Sequence, residues 1–147
     1  MVIQRLNPHE LSDFEQLISI FHSAFEHLTP IPPQEHLAAV LREPRFMAFV
    51  IKIQEVVVGG LSLHVLPNYY NTKPMAYLYD VAIKPDFRGL GLGKALMREV
   101  CTFCQLNGFD EAYVEAEAND EPAVGFYRQT RPSFETKAVH FTYRFSS

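Results

Sequence analysis

Arg88, Gly89, Gly91, Gly93 and Lys94 lie within "DFRGLGLGKAL", Asp86 to Leu96, between a run of β-forming residues and a helical pattern. A strand that enters a glycine turn and leaves as a helix aims unpaired backbone N–H groups, and the positive end of the helix dipole, at one place. That arrangement suits an anion, above all a phosphate. The glycines tolerate positive φ and keep Cβ atoms out of a ligand's way, while Arg88 and Lys94 bracket the turn with cations. Spacing removes the familiar nucleotide motifs. A P-loop requires glycine where Arg88 stands and Ser or Thr where Ala95 stands. The dinucleotide fingerprint fails because its last glycine falls on Lys94 or Leu96.

Acidic side chains are the second feature with chemical potential. In "EAYVEAEA", strand alternation puts Tyr113, Glu115 and Glu117 on one face, and the strand before the glycine turn carries Asp80. Such carboxylates can accept a proton or attract a cation. The six histidines show no metal-ligand spacing, so no metal is expected. Cys101 and Cys104 form a "CTFC" that imitates a redox pair, but it sits well inside a helical pattern rather than at a helix N-terminus, where thiolates are stabilised.

These residues need elements to hold them. "VIQRL" alternates as a strand, and "NPHELSDFEQLISIFHSAF" has Phe14, Leu17, Ile18, Phe21 and Phe25 at helical spacing, with Asn7-Pro8 as its start. "PQEHLAAVLRE" reads as a second helix after the "TPIPP" breaker. Strands follow at Phe46 to Ile53, Val56 to Leu66 and Met75 to Ile83, with Gln54-Glu55 as the first turn and Gly59-Gly60 marking a bulge or a close approach. Gly91 to Leu106 is helical and ends at Asn107-Gly108. "EAYVEAEA" is a strand, "DEPAVGFYRQT" a helix with an Asp cap and an early proline, and "AVHFTYRF" a closing strand. The order β-α-α-β-β-β-α-β-α-β predicts an α/β (α+β) fold, a mixed, mostly antiparallel sheet flanked by helices, in a single domain spanning 1–147.

At 147 residues and 48% hydrophobic, the chain can bury one core. No stretch approaches the roughly 18 to 20 apolar residues that span a bilayer, and the N-terminal residues are too polar for a signal peptide, so the expected setting is cytoplasmic with no membrane partner. The net charge of -4 lacks the basic footprint of a nucleic-acid binder and favours a cationic partner.

Arg88-x-x-Gly91-x-Gly93 resembles the [Arg/Gln]-x-x-Gly-x-[Gly/Ala] turn of the GCN5-related N-acetyltransferases, the GNAT superfamily. "YLYDVAIKP" before it and "DEPAVGFY" after it are similar to the family's neighbouring motifs, and the element order agrees from end to end. The resemblance implies that acetyl-coenzyme A binds here. Its pyrophosphate would lie on Arg88, Gly89, Leu90, Gly91, Leu92, Gly93 and Lys94, and its pantetheine arm would pair with Val81, Ala82 and Ile83. Cofactor contacts would also involve Asn119, Asp120 and Tyr127. Asp120 stands where family chains often have Asn, with Asn119 one step earlier. From Phe46 onward the chain looks like the aminoglycoside 3-N-acetyltransferases of the gentamicin-modifying type, which implies a polyamine-like acceptor. A homodimer is also implied, since many relatives are dimers.

Acetyl transfer needs a neutral amine, yet an amine with a pKa near 10.4 is neutral only about once in a few thousand molecules at pH 7. A base must help. By resemblance Glu117 leads, standing in the place of an Asp, with Glu115 and Asp80 behind it. Tyr127 would protonate the departing thiolate. Two alternatives keep the turn but change the role: transfer to a protein N-terminus, a lysine or a metabolite amine, or a module that binds acetyl-coenzyme A without turnover.

Overall fold

The computed structural model describes residues 1–146. The chain divides into two compact units, Met1–Ala116 and Glu117–Ser147. The first unit holds a five-stranded sheet in the order β1-β2-β3-β4-β5, with β1 at Val2–Arg5, β2 at Phe46–Ile53, β3 at Val56–Leu66, β4 at Met75–Ile83 and β5 at Glu111–Val114. β1 to β4 are antiparallel neighbours, whereas β5 lies parallel to β4. Helices α1 (Leu11–Ala24), α2 (Gln34–Arg42) and α3 (Leu92–Leu106) complete this unit, and α4 (Glu121–Gln129) belongs to the second.

β2 and β3 read as unbroken apolar runs because the sheet is covered on both faces. On one face Phe14, Leu17, Ile20 and Phe21 of α1 and Leu37 and Leu41 of α2 pack on Ala48, Val50, Val57 and Ala82. On the other, α3 turns inward Leu92, Leu96, Met97, Val100 and Cys104, and its Phe103 meets Phe49 edge-on at 5.2 Å. Burial pushes the Cys104 thiol up to about 11, with Cys101 adding to the rise, so this cysteine is a core residue with little thiolate.

The glycine pair marks both a bulge and a close approach. β3 shifts register against β2 beside it, Ile51 facing Gly59 but Lys52 facing Val57. A Cβ on Gly60 would collide with the Phe49 carbonyl, and one on Gly59 would lie 2.7 Å from the Ala82 carbonyl. Only glycine lets these strands close.

Three boundaries differ from expectation. Asn7-Pro8 does not start α1: the Asn7 side chain accepts the His9 N–H at 2.8 Å in a local turn, and the helix begins at Leu11. β5 stops at Val114, four residues short of the alternating pattern's end at Ala118. "AVHFTYRF" carries no strand, because its backbone has no ladder partner among the described residues; Phe141, Tyr143 and Phe145 are exposed. Among the described residues no helix is long and apolar enough to cross a membrane.

Candidate active site

β4 and β5 run side by side only as far as Leu78 and Val114. Beyond that pair β4 bulges: Tyr79 and Asp80 together oppose the single residue Ser62, since Leu63 faces Leu78 while Leu61 faces Val81. The buried Ser62 hydroxyl holds the bulge, accepting the Asp80 N–H at 3.1 Å. Past Leu78, β4 runs on to Ile83 with no ladder partner on its β5 side among the described residues.

Alternation decides which backbone groups face that open edge. The Lys84 N–H donates to the Val58 carbonyl at 2.8 Å, so Lys84 turns toward β3. Ala82 therefore turns toward β3 as well, whereas Val81 and Ile83 present their N–H and C=O groups to the open side. The Ile83 carbonyl is taken by Arg88, whose Nε donates to it at 3.0 Å.

That contact starts the glycine turn. After a short 3-10 turn at Pro85–Phe87, Gly89 and Gly91 adopt φ of +77° and +80°, and a Cβ on either would meet no atom within 4 Å. The space in front of the turn is open. α3 begins at Leu92, and its first internal bond runs from the Ala95 N–H to the Gly91 carbonyl at 3.1 Å. The amides of Leu92, Gly93 and Lys94 therefore have no partner within the helix, and among the described residues no side chain caps them. Leu92 is buried and anchors the helix, whereas Leu90 and Lys94 are exposed. An adjoining cleft of about 470 Å³ is lined by Ser19 and Ser23 of α1 together with Ile83, Lys84 and Arg88.

Two of the candidate carboxylates, Asp80 and Glu115, fall in this unit. Burial raises the Asp80 pKa above the ordinary carboxylate value, and the nearby His27 and His64 partly offset the rise. Glu115 lies past the end of β5 but stays on the Tyr113 face, since both side chains meet that of Tyr77. Its Oε1 accepts a hydrogen bond from the Tyr77 hydroxyl of β4 at 2.6 Å.

Glu117, Asn119, Asp120 and Tyr127 fall in the second unit. Glu117 is exposed, and its carbonyl accepts the Asp120 N–H at 2.9 Å across a turn that contains Asn119. Asp120 is the N-cap of α4, its Oδ1 accepting the Ala123 N–H at 3.2 Å, with Pro122 in the first turn. Tyr127 is half-buried on α4, its ring 5.1 Å from that of Phe126.

Three contributors to the first unit's geometry escaped sequence reading. Ser62 and Ser19 lie within strongly patterned elements and carry no motif. Tyr77 has an accessible signal, a tyrosine directly across from Tyr113 in the parallel pair, but using it requires knowing the register.

A five-stranded sheet whose fourth strand runs through a glycine turn into α3 defines a fold that comparison with known proteins identifies. The model of the Acetyltransferase (GNAT) family matches residues 14–131, and the chain belongs to that family. Its fold matches an aminoglycoside acetyltransferase, meta-AAC0020 from an uncultured soil metagenomic sample, solved in complex with trehalose. The TM-score is 0.96 at 39% identity, covering 99% of this chain and 96% of that one. The same enzyme solved with sisomicin gives a TM-score of 0.96 at 38% identity, with the same coverage of 99% and 96%. Among curated proteins, glucosamine 6-phosphate N-acetyltransferase of Trypanosoma brucei brucei is 28% identical over 111 residues, 70% of this chain and 74% of that one. The α/β fold expected from the element order is the one found, and the family is one of acetyl-transferring enzymes.

Proposed function

We propose that the whole chain works as one acetyl-coenzyme A-dependent N-acetyltransferase domain, and that its acceptor is a primary amine of a cationic small molecule of the aminoglycoside kind. The observation that carries the donor half is the unpaired edge of β4 beyond Leu78, which leads into a turn where the amides of Leu92, Gly93 and Lys94 have no partner among the described residues. Those amides, with Arg88, suit a pyrophosphate, and the outward backbone edge of Val81 and Ile83 suits the amide-bearing pantetheine arm. The acceptor half rests on the 39% identity to an aminoglycoside acetyltransferase and on the net charge of -4.

In this reading the acetyl group passes directly from sulfur to nitrogen. The Val81 N–H polarises the thioester carbonyl and stabilises the oxyanion as the N–C bond forms. The amine's proton goes to a carboxylate, directly or through water. Asp80 suits that task because its burial-raised pKa moves it toward the working pH, and Glu117 is the alternative acceptor by resemblance. The C–S bond then breaks, and the Tyr127 hydroxyl protonates the leaving thiolate. Holding amine and thioester in line supplies much of the rate.

Release of free thiol from acetyl-coenzyme A, followed with sisomicin, glucosamine 6-phosphate, glucosamine and an alanine-initiated peptide, tests the reading. Turnover of sisomicin at the highest kcat/KM supports it. Preference for the sugar phosphate or the peptide moves the acceptor to another class, and tight donor binding without turnover of any amine makes the chain a sensor. The exposed apolar side chains of Phe134, Val139, Phe141, Tyr143 and Phe145 support a homodimer, which light scattering in solution decides.

A further inference from the structure

Tyr77 and Glu115 are joined across the last paired rungs of β4 and β5. The 2.6 Å separation lies in the range of a charge-assisted O–H to carboxylate bond. The Tyr77 ring is itself clamped, stacked on Tyr113 at 4.7 Å with 13° between the planes and meeting Tyr79 edge-on at 5.7 Å. A side chain that follows the end of a strand would ordinarily sample several rotamers; here one oxygen is fixed just past the last rung shared by β4 and β5.

We propose that Tyr77 is a positioning residue: it holds Glu115 so that Oε2 receives a second, charged amino group of the acceptor, one that is not acetylated. This rests on the reading of the chain as an acetyltransferase for a multiply charged amine. The reacting nitrogen must shed its proton and so cannot be gripped as an ammonium, whereas a neighbouring ammonium on the same molecule can. Tyr79 and Tyr113 are 59% and 40% exposed, and their rings offer cation–π surfaces for the same charge. Glu115 has one oxygen committed to Tyr77, which fits an anchor better than a proton acceptor. Burial, then the bond to Glu115, raises the Tyr77 pKa above its usual value, so the phenol remains a donor through the neutral range.

The recognised acceptor class is therefore a molecule with at least two amino groups, and the signature is a KM effect confined to it. Tyr77→Phe keeps the ring and removes only the hydroxyl. It is expected to raise KM for sisomicin roughly tenfold, with a much smaller change in kcat, while KM for the monoamine glucosamine shifts less than about twofold. Glu115→Gln should give a similar rise, and the double variant should be no worse than Glu115→Gln alone, because both changes break one device. Equal shifts for sisomicin and glucosamine, additive effects in the double variant, or an unchanged sisomicin KM in Tyr77→Phe would each overturn the positioning role while leaving the acetyltransferase reading intact. Absence of sisomicin turnover and of its binding by calorimetry in the unmodified protein would overturn both.

Discussion

The Arg88 guanidinium Nε donates to the Ile83 carbonyl at 3.0 Å, tying the glycine turn back to the last residue of β4. The two halves of the proposed donor site, strand edge and helix amides, are thus braced by one side chain. Arg88→Ala is expected to raise KM for acetyl-coenzyme A roughly tenfold through loss of the brace and of a cation near the pyrophosphate. An unchanged donor KM would show that the turn holds its shape and its ligand without Arg88.

Gly91→Val tests the turn itself. Its φ of +80° disfavours any β-branched residue, and an added Cβ would meet no atom within 4 Å among the described residues beyond its chain neighbours. Expected are a stability loss of about 1–2 kcal/mol from backbone strain and a loss of donor binding well beyond it. Gly108→Val is the control: it has φ +76° and similarly open surroundings, but lies at the far end of α3, roughly 22 Å along the helix. Denaturant melts should show both variants weakened, and donor titration only the first.

Tyr127→Phe should lower kcat on the order of 10²-fold, the usual scale for a general acid, with donor affinity within about twofold. Stopped-flow thiol release separates the two quantities. Unchanged turnover removes the acid role from this tyrosine.

Asp80→Asn is expected to cut kcat by a similar order and to change stability in the opposite sense. Burial raises the Asp80 pKa in the folded state, so folding favours its protonated form. The stability this contributes is present below the ordinary carboxylate pKa and is lost as pH rises through the elevated folded value. At neutral pH the charged Asp80 therefore weakens the fold, and the Asn variant should melt at the same or a higher temperature. Thermal melts between pH 4 and pH 8 check this; a variant less stable at pH 7 than at pH 4, relative to the parent, contradicts it.

The β2–β3 hairpin is a target for stabilisation. Ile53 pairs with Val56 across a two-residue turn in which Gln54 and Glu55 both have positive φ, 51° and 68°, a geometry that favours Asn-Gly. Replacing Gln54-Glu55 with Asn-Gly should add about 1 kcal/mol in urea unfolding without altering kcat. No gain would mean that the present pair is held by contacts that offset its strain.

Most of the fold was legible because its elements carry strong periodicity: α1, α3 and the three central strands lie within a residue or a few of where the pattern puts them. The glycine turn was legible for a similar reason, since Gly89 and Gly91 take the positive φ that their type invites. What stayed hidden depends on pairing rather than pattern. "EAYVEAEA" alternates to its end, yet β5 stops at Val114 because the Tyr79–Asp80 bulge removes its partner, and that bulge is held by Ser62, a residue distant in sequence. "AVHFTYRF" likewise has a strand's composition without a strand's neighbour. The link between Tyr77 and Glu115 could not be read at all without the register of the parallel pair.

That parallel pair has a consequence for assembly. Met75 meets Glu111 only after the chain has passed through the glycine turn and the whole of α3, whereas β2 and β3 meet across two residues. Pairing over such a crossover is entropically later than hairpin closure, so the cleft beside β4 and β5 forms after the β2–β3 pair. If acetyl-coenzyme A fills that cleft, at about 100 times its Kd it stabilises the folded chain by roughly 2.7 kcal/mol, a rise in melting temperature that a donor titration either shows or refutes. The amount of folded enzyme would then follow the supply of its own co-substrate, and a cell short of acetyl groups would keep less of a catalyst that spends them.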